Sequence, residues 1–212
     1  MQGALITLRE RGIAGVSART IAAAAGVNQG LVFYHFGSVD ELLAAACSWG
    51  AEQLITELRP RFADIQTITE LLDFGLELNE GYRRSGDVVM LAQALAGAQT
   101  DPKLRPAAAQ AMDLWVAEIE AVLRRVLGDS VLNPLLDLPA LSRFLTYSFV
   151  GYQLAEGVDE ESAHRAIAAL RPLGELLGVI DDLGPVATRV LRHKIRDLAG
   201  PLSGTKNHRS EA

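Results

Sequence analysis

The chain has a single cysteine, Cys47, among its 212 residues. A disulfide within the chain is therefore excluded, and with it the small stapled folds of oxidising compartments. Cys47 sits in the apolar run Leu42–Trp49 and reads as a small buried hydrophobe. Basic charge is not in excess either: 20 Lys and Arg against 26 Asp and Glu leave a net charge of −6. That balance excludes a protein that coats nucleic acid indiscriminately. No apolar run reaches the roughly 20 residues a membrane span needs, and no signal-peptide pattern is visible. A cytoplasmic protein with no membrane partner is the expectation. The chemistry-bearing motifs are missing as well. There is no P-loop, no Gly-rich dinucleotide fingerprint and no nucleophile elbow. Glu160 and His164 stand four apart, but no second histidine completes a metal-binding spacing. No catalytic residue, metal or cofactor is expected, so the chain does not read as an enzyme.

Strand-like alternation is also absent after Ser38, where helical spacing dominates. The fold class is therefore all-α. The most informative stretch is 17–36, SARTIAAAAGVNQGLVFYHF. Ser17 can cap a first helix by accepting a backbone N–H left free at the helix start. Ile21, Ala24 and Ala25 share a face, and the small run Ala22–Ala25 lets a second helix cross closely. Gly26 supplies the positive φ that ends the helix. Val27 is placed to plug the corner, and Asn28 to cap a second helix over about Gln29–Tyr34. That second helix carries almost no charge. Two short helices and a tight turn in this order make a helix-turn-helix, which fits the DNA major groove. Gln29 can bond an adenine edge, Leu31 can touch a thymine methyl, and Gly30 permits close backbone approach. Tyr34 and His35 can donate to phosphates, which set register without reading sequence.

These residues resemble the N-terminal domain of the TetR (tetracycline repressor) family of bacterial transcription regulators. The matching elements are Gly12, Ser17, Arg19, Ile21-Ala22, Ala25-Gly26-Val27, Gly30, Tyr34-His35-Phe36, Ser38, Glu41 and Leu42, without a gap over 5–46. The resemblance implies an all-helical homodimer whose first three helices bind a palindromic DNA operator. A larger helical domain then binds a small effector and dimerises, and the effector releases the operator. Carried over, Arg19 and His35 match positions near the phosphate backbone, and Gln29, Gly30 and Leu31 match the base-facing turn. The DNA-facing set is Ser17, Arg19, Asn28, Gln29, Gly30, Leu31, Phe33, Tyr34 and His35. Three departures stand out. Phe33 replaces a family tyrosine and has no hydroxyl for a phosphate. Val39 replaces a family lysine. No basic arm precedes the first helix, which fits a native chain that starts upstream of Met1. In residues 1–59, Arg9, Arg11, Arg19 and Arg59 are outnumbered by Glu10, Asp40, Glu41, Glu52 and Glu57. Non-specific DNA affinity comes mainly from phosphate neutralisation, so weak non-specific binding and a shallow salt dependence are expected. A helical dimeric ligand-binding protein with weak or lost DNA binding is the alternative these departures keep open.

The body reads as a series of helices. Ser38 and Glu41 form a capping box before a long fourth helix reaching about Leu58, ahead of Pro60. Further helices are expected at 67–84, 87–98, 103–127, 139–157, 161–180 and 184–198, with Pro172 ending or kinking the one from 161. The division is 1–46 for DNA binding, 47–199 for effector binding and dimerisation, and 200–212 as a disordered tail. Candidates for a mostly hydrophobic effector are Asn79, Tyr82, Met90, Gln93, Trp115, Ile119, Tyr147 and Tyr152. No Arg or Lys cluster among them demands an anion. Candidates for the dimer interface are Leu141, Leu145 and Phe149 on one helix and Ile167, Leu170, Leu173 and Leu177 on the next. Paired across two subunits, such helices would form a four-helix bundle. The same stripes could instead face the chain's own core, and spacing alone does not separate the two.

Overall fold

The computed structural model describes residues 1–181 and 183–199. Among the described residues there is no strand. The order is α1 (Gln2–Arg11), a 3-10 turn (Ile13–Gly15), α2 (Ala18–Ala25), α3 (Gly30–Phe36) and α4 (Val39–Asp64). There follow α5 (Ile68–Ser85), α6 (Asp87–Thr100), α7 (Arg105–Leu127) and a second 3-10 turn (Asn133–Leu135). The chain continues through α8 (Leu138–Glu156), α9 (Glu160–Ala168), α10 (Arg171–Asp181) and α11 (Pro185–Ala199). The expected disordered tail, 200–212, lies outside the described residues.

Local chemistry explains the N-terminal elements. Ser17 Oγ accepts the Thr20 N–H while Thr20 Oγ1 accepts the Ser17 N–H, so both ends of the cap are closed. Gly26 at φ 66° ends α2, and the Val27 N–H reaches back to the Ala22 carbonyl. Asn28 Oδ1 accepts the Gly30 N–H at 2.7 Å, which starts α3 one residue later than the spacing suggested. The helix also runs two residues further, to Phe36, before Gly37 stops it at φ 75°. Val27 does not plug the corner: it is 46% exposed. Val32 takes that role at 4% exposure, because α3 is short and presents one side chain inward.

Two apolar cores hold the molecule. The first joins Ala4, Leu8, Ile21, Ala22 and Val32 to Leu42, Leu43 and Ala46 of α4, and also takes in Ala98 and Leu104. The second is built from Ile55, Leu58 and Phe62 of α4 with Leu71, Phe74, Val122, Leu123 and Leu138. Helix α4 therefore belongs to both. Ser38 caps it by accepting the Glu41 N–H, but Glu41 makes no return bond to the cap backbone, so the box is half formed. A complete box appears instead at Thr67 and Glu70, at the start of α5.

Helix α4 does not stop before Pro60; it carries that proline inside and ends at Asp64. Burial outweighs the lost backbone bond here, because Phe62 and Ile65 are 3% and 5% exposed. Arg125 of α7 completes the end. Its guanidinium donates to the Phe62 carbonyl at 2.6 Å and to the Ile65 carbonyl at 2.9 Å, satisfying groups that a helix end leaves free. The stretch expected as one helix over 161–180 is two, α9 and α10, with Pro172 in the first turn of the second. Arg125→Met removes the side-chain cap and keeps the apolar stem. We expect it to lower unfolding free energy in urea by about 1–2 kcal/mol.

Candidate functional site

Three places concentrate candidate side chains. The first is the outer face of α3. Asn28, Gln29, Gly30, Leu31, Phe33, Tyr34 and His35 are all exposed, as are Ser17, the cap of α2, and Arg19 on that helix. Leu31, Phe33 and Tyr34 are 43%, 49% and 81% exposed. Apolar side chains of that size do not stand in water for packing reasons. The Tyr34 and His35 rings meet edge to face at 4.9 Å, which pre-orders the end of the helix. Val39 is partly buried against the first core, so it supplies no surface contact.

The second is a cavity of about 530 Å³ between the two cores. Tyr82, Met90, Trp115 and Ile119 line it as expected, with Phe62, Phe74, Phe149, Trp49 and Cys47. Both tryptophans of the chain are therefore in its wall. Burial pushes the Cys47 thiol up from its ordinary value, as suits a packing residue. The wall is not wholly apolar. Tyr82 Oη and Gln153 Nε2 are buried with no hydrogen-bond partner. Burial raises the Tyr82 hydroxyl well above its ordinary value, and the Asp87 and Glu57 carboxylates raise it further. Helix α1 closes one side, contributing Leu5, Leu8 and Arg9.

Gln93 is not in that wall. Its Oε1 accepts the Ile13 N–H at 3.3 Å, joining α6 to the turn after α1. Gly12 at φ 63° lets the chain bend there, and a side chain at Gly12 would lie 3.5 Å from Gln93. Arg9 of α1 pairs with Asp87 at the start of α6 at 2.6 Å. The α1–α6 junction was not legible in the sequence, because its partners lie about eighty residues apart and no local pattern joins them.

The third is a polar cluster around Glu156, whose side chain is 2% exposed. Asn79 Nδ2 donates to one carboxylate oxygen at 2.6 Å. Arg83 at 3.1 Å, Tyr152 Oη at 3.2 Å and His164 Nε2 at 2.8 Å surround the other. Asn79 and Tyr152 thus leave the expected effector set and line a separate cleft beside α9. Glu156, Glu160 and His164 come close together, yet the Arg83 guanidinium already bridges both carboxylates. Tyr147 faces outward, 52% exposed, as do Phe144, Leu154, Leu173 and Leu176. Leu141 and Leu145 turn inward against the second core, and Phe149 and Leu170 line the cavity. Ile167 borders both the cavity and the cleft, and Leu177 is half-buried. The outer stripe of α8 is therefore Phe144, Tyr147 and Leu154, one helical face over from the residues the spacing suggested.

Residues 1–46 match the family model of bacterial regulatory proteins, tetR family. The HTH-type transcriptional regulator CymR of Pseudomonas putida is 31% identical over 102 residues, which are 48% of this chain and 50% of CymR. The chain thus aligns with only half the length of that relative. A Rhodococcus protein assigned to TetR-family transcriptional regulators superposes with a TM-score of 0.64 at 21% identity, covering 85% of this chain and 95% of its own. The multidrug binding protein EbrR, solved with proflavin, superposes at 0.54 with 27% identity, covering 80% of this chain and 95% of its own. Residues 1–46 thus carry the DNA-binding region described by the TetR family model. The chain therefore has an N-terminal helix-turn-helix followed by a helical C-terminal region, as those solved neighbours do.

The Glu156 cluster has a measurable signature. Burial raises its carboxyl, but bonds from Asn79, Arg83 and Tyr152 outweigh that and hold it below its ordinary 4.5. Tyr152 is pushed up to about 12 by burial and by the same carboxylate. A depressed carboxyl contributes stability above its unfolded-state value and loses it as pH falls through the folded one. Thermal unfolding between pH 7 and pH 3, followed by circular dichroism, should show that acid loss. Glu156→Gln should lower the melting temperature at pH 7 and flatten the decline below about pH 4.5.

Proposed function

We propose that this protein is a ligand-responsive repressor that binds a palindromic operator as a homodimer and is released by a small, mostly apolar effector. The observation that carries this reading is the outer face of α3, where Gln29, Gly30, Leu31, Tyr34 and His35 stand exposed while Val32 alone is buried. Gln29, Gly30 and Leu31 read base edges; Arg19, Tyr34 and His35 hold phosphates. Two such helices in successive major grooves read half-sites about one turn apart. The open stripe of Phe144, Tyr147 and Leu154, with Gly151 leaving space for close approach, supports dimerisation through α8. Leu173 and Leu176 of α10 are exposed apolar side chains as well. The cavity between the two cores, and the small molecule bound by EbrR, support the effector. The division between 1–46 and 47–199 is then one of labour, and the compartment is the cytoplasm.

An effector needs only to bind two arrangements unequally, and coupling of about 1–3 kcal/mol is usual. Arg9–Asp87 and Ile13–Gln93 are the direct ties through which the cavity side of α6 addresses α1.

Selection of bound fragments from the source genome, followed by anisotropy titration at several salt concentrations, tests the reading. A palindrome bound at least about a thousand-fold more tightly than random DNA is expected. Gln29→Ala should lower the preference for the palindrome more than His35→Ala, which should weaken all sequences alike. No selective binding at any salt concentration would favour the alternative of a dimeric ligand-binding protein, as Phe33, Val39 and the near-neutral head would then explain.

A further inference from the structure

The charged side chains lining the cavity are Arg9, Glu57 and Asp87. Arg9 is committed to Asp87 at 2.6 Å, and Asp87 also accepts from Ser85. Glu57 makes no ion pair among the described residues, although it follows Leu54 and Ile55 on the wall helix α4. The nearby arginines of α4 are engaged elsewhere: Arg59 with Glu118 at 2.9 Å and Arg61 with Glu77 at 2.6 Å. The lining therefore holds one carboxylate more than it has cations, at the exposed Glu57. Tyr82, close enough to feel both carboxylates, meets Trp115 edge to face at 6.5 Å. Its buried hydroxyl oxygen has no partner, and neither has the amide nitrogen of Gln153, which is 3% exposed. Unpartnered buried polar atoms are costly, and at the wall of an apolar cavity they mark places where a ligand's polar groups belong.

We propose that the effector is a flat aromatic cation, its rings between Trp115, Tyr82 and Trp49 and its positive group at the Glu57–Asp87 end. The inference rests on the effector-binding reading above and adds the charge of the ligand. Aromatic faces attract a cation, and the partly buried Asp87 and the exposed Glu57 at the cavity's edge add to that attraction. An anionic head group, such as a carboxylate or a phosphate, would meet only Arg9, already paired, and would be repelled by Glu57. A cation there competes with Arg9 for Asp87, which weakens the ion pair between α1 and α6.

Three probes with one ring system separate charge from shape: 10-methylacridinium, neutral 9-methylacridine and acridine-9-carboxylate. Each is titrated into the full chain without DNA, and quenching of Trp49 and Trp115 is read. The cation should bind about ten-fold tighter than the neutral ring, and the carboxylate weakest. Glu57→Gln, at an exposed position, should remove most of that preference while leaving 9-methylacridine affinity within about two-fold. Asp87→Asn should act in the same direction. Equal binding of cation and neutral ring, or preference for the carboxylate, overturns the charge inference and leaves the cavity reading standing. Quenching by none of the three overturns both.

Discussion

Helix α4 is the member on which the rest depends. Its first half supplies Leu42, Leu43 and Ala46 to the core under the helix-turn-helix, and its second half supplies Ile55, Leu58 and Phe62 to the core of the body. Leu42 and Ile55 are 2% and 1% exposed. Burying a side chain of that size contributes about 1.5–3 kcal/mol, so neither half can leave its core cheaply. A rigid rod fixed in two cores cannot shift at one end without moving the other. The same logic explains why α4 runs through Pro60 and why Arg125 is spent on its last carbonyls.

The cavity lies beside this rod, and α1 and α6 close it. A ligand there touches structure that also positions α3, whereas the Glu156 cluster does not. That cluster satisfies its buried carboxylate with its own donors, Asn79, Arg83 and Tyr152, and ties α5 to α8 and α9. Satisfied polar groups hold a fold; unsatisfied ones beside space await a partner. This contrast separates two polar sites that composition alone would rank alike.

The helix-turn-helix was legible because its signals are local: the Ser17 cap, the Gly26 turn and the Asn28 cap act within a few residues. The exposed face of α3 followed from the same pattern. The helical class and most helix positions were also legible, through punctuation at Gly86, Gly128 and Pro139. What escaped depends on contacts distant in sequence. Gln93 and Tyr147 look alike as cavity candidates, yet one bonds Ile13 and the other faces water. Leu145 and Tyr147 differ by two positions on one helix, enough to turn one inward and the other outward. Periodicity finds the stripes of a helix but does not say which stripe meets the chain's own core. The carboxylates Glu57 and Asp87 are thirty residues apart on different helices, so their place in the lining of one cavity with Tyr82 had no sequence signature.

The account's central claim is that one helix makes the two cores a single mechanical unit. Calorimetry at one fixed protein concentration tests it directly, with Leu8→Ala in the first core and Leu123→Ala in the second. Each truncation should cost about 2–5 kcal/mol. The account predicts one transition in every variant, moved to lower temperature by either substitution, with calorimetric and van't Hoff enthalpies equal. Two transitions, one answering only to Leu8 and the other only to Leu123, would contradict it.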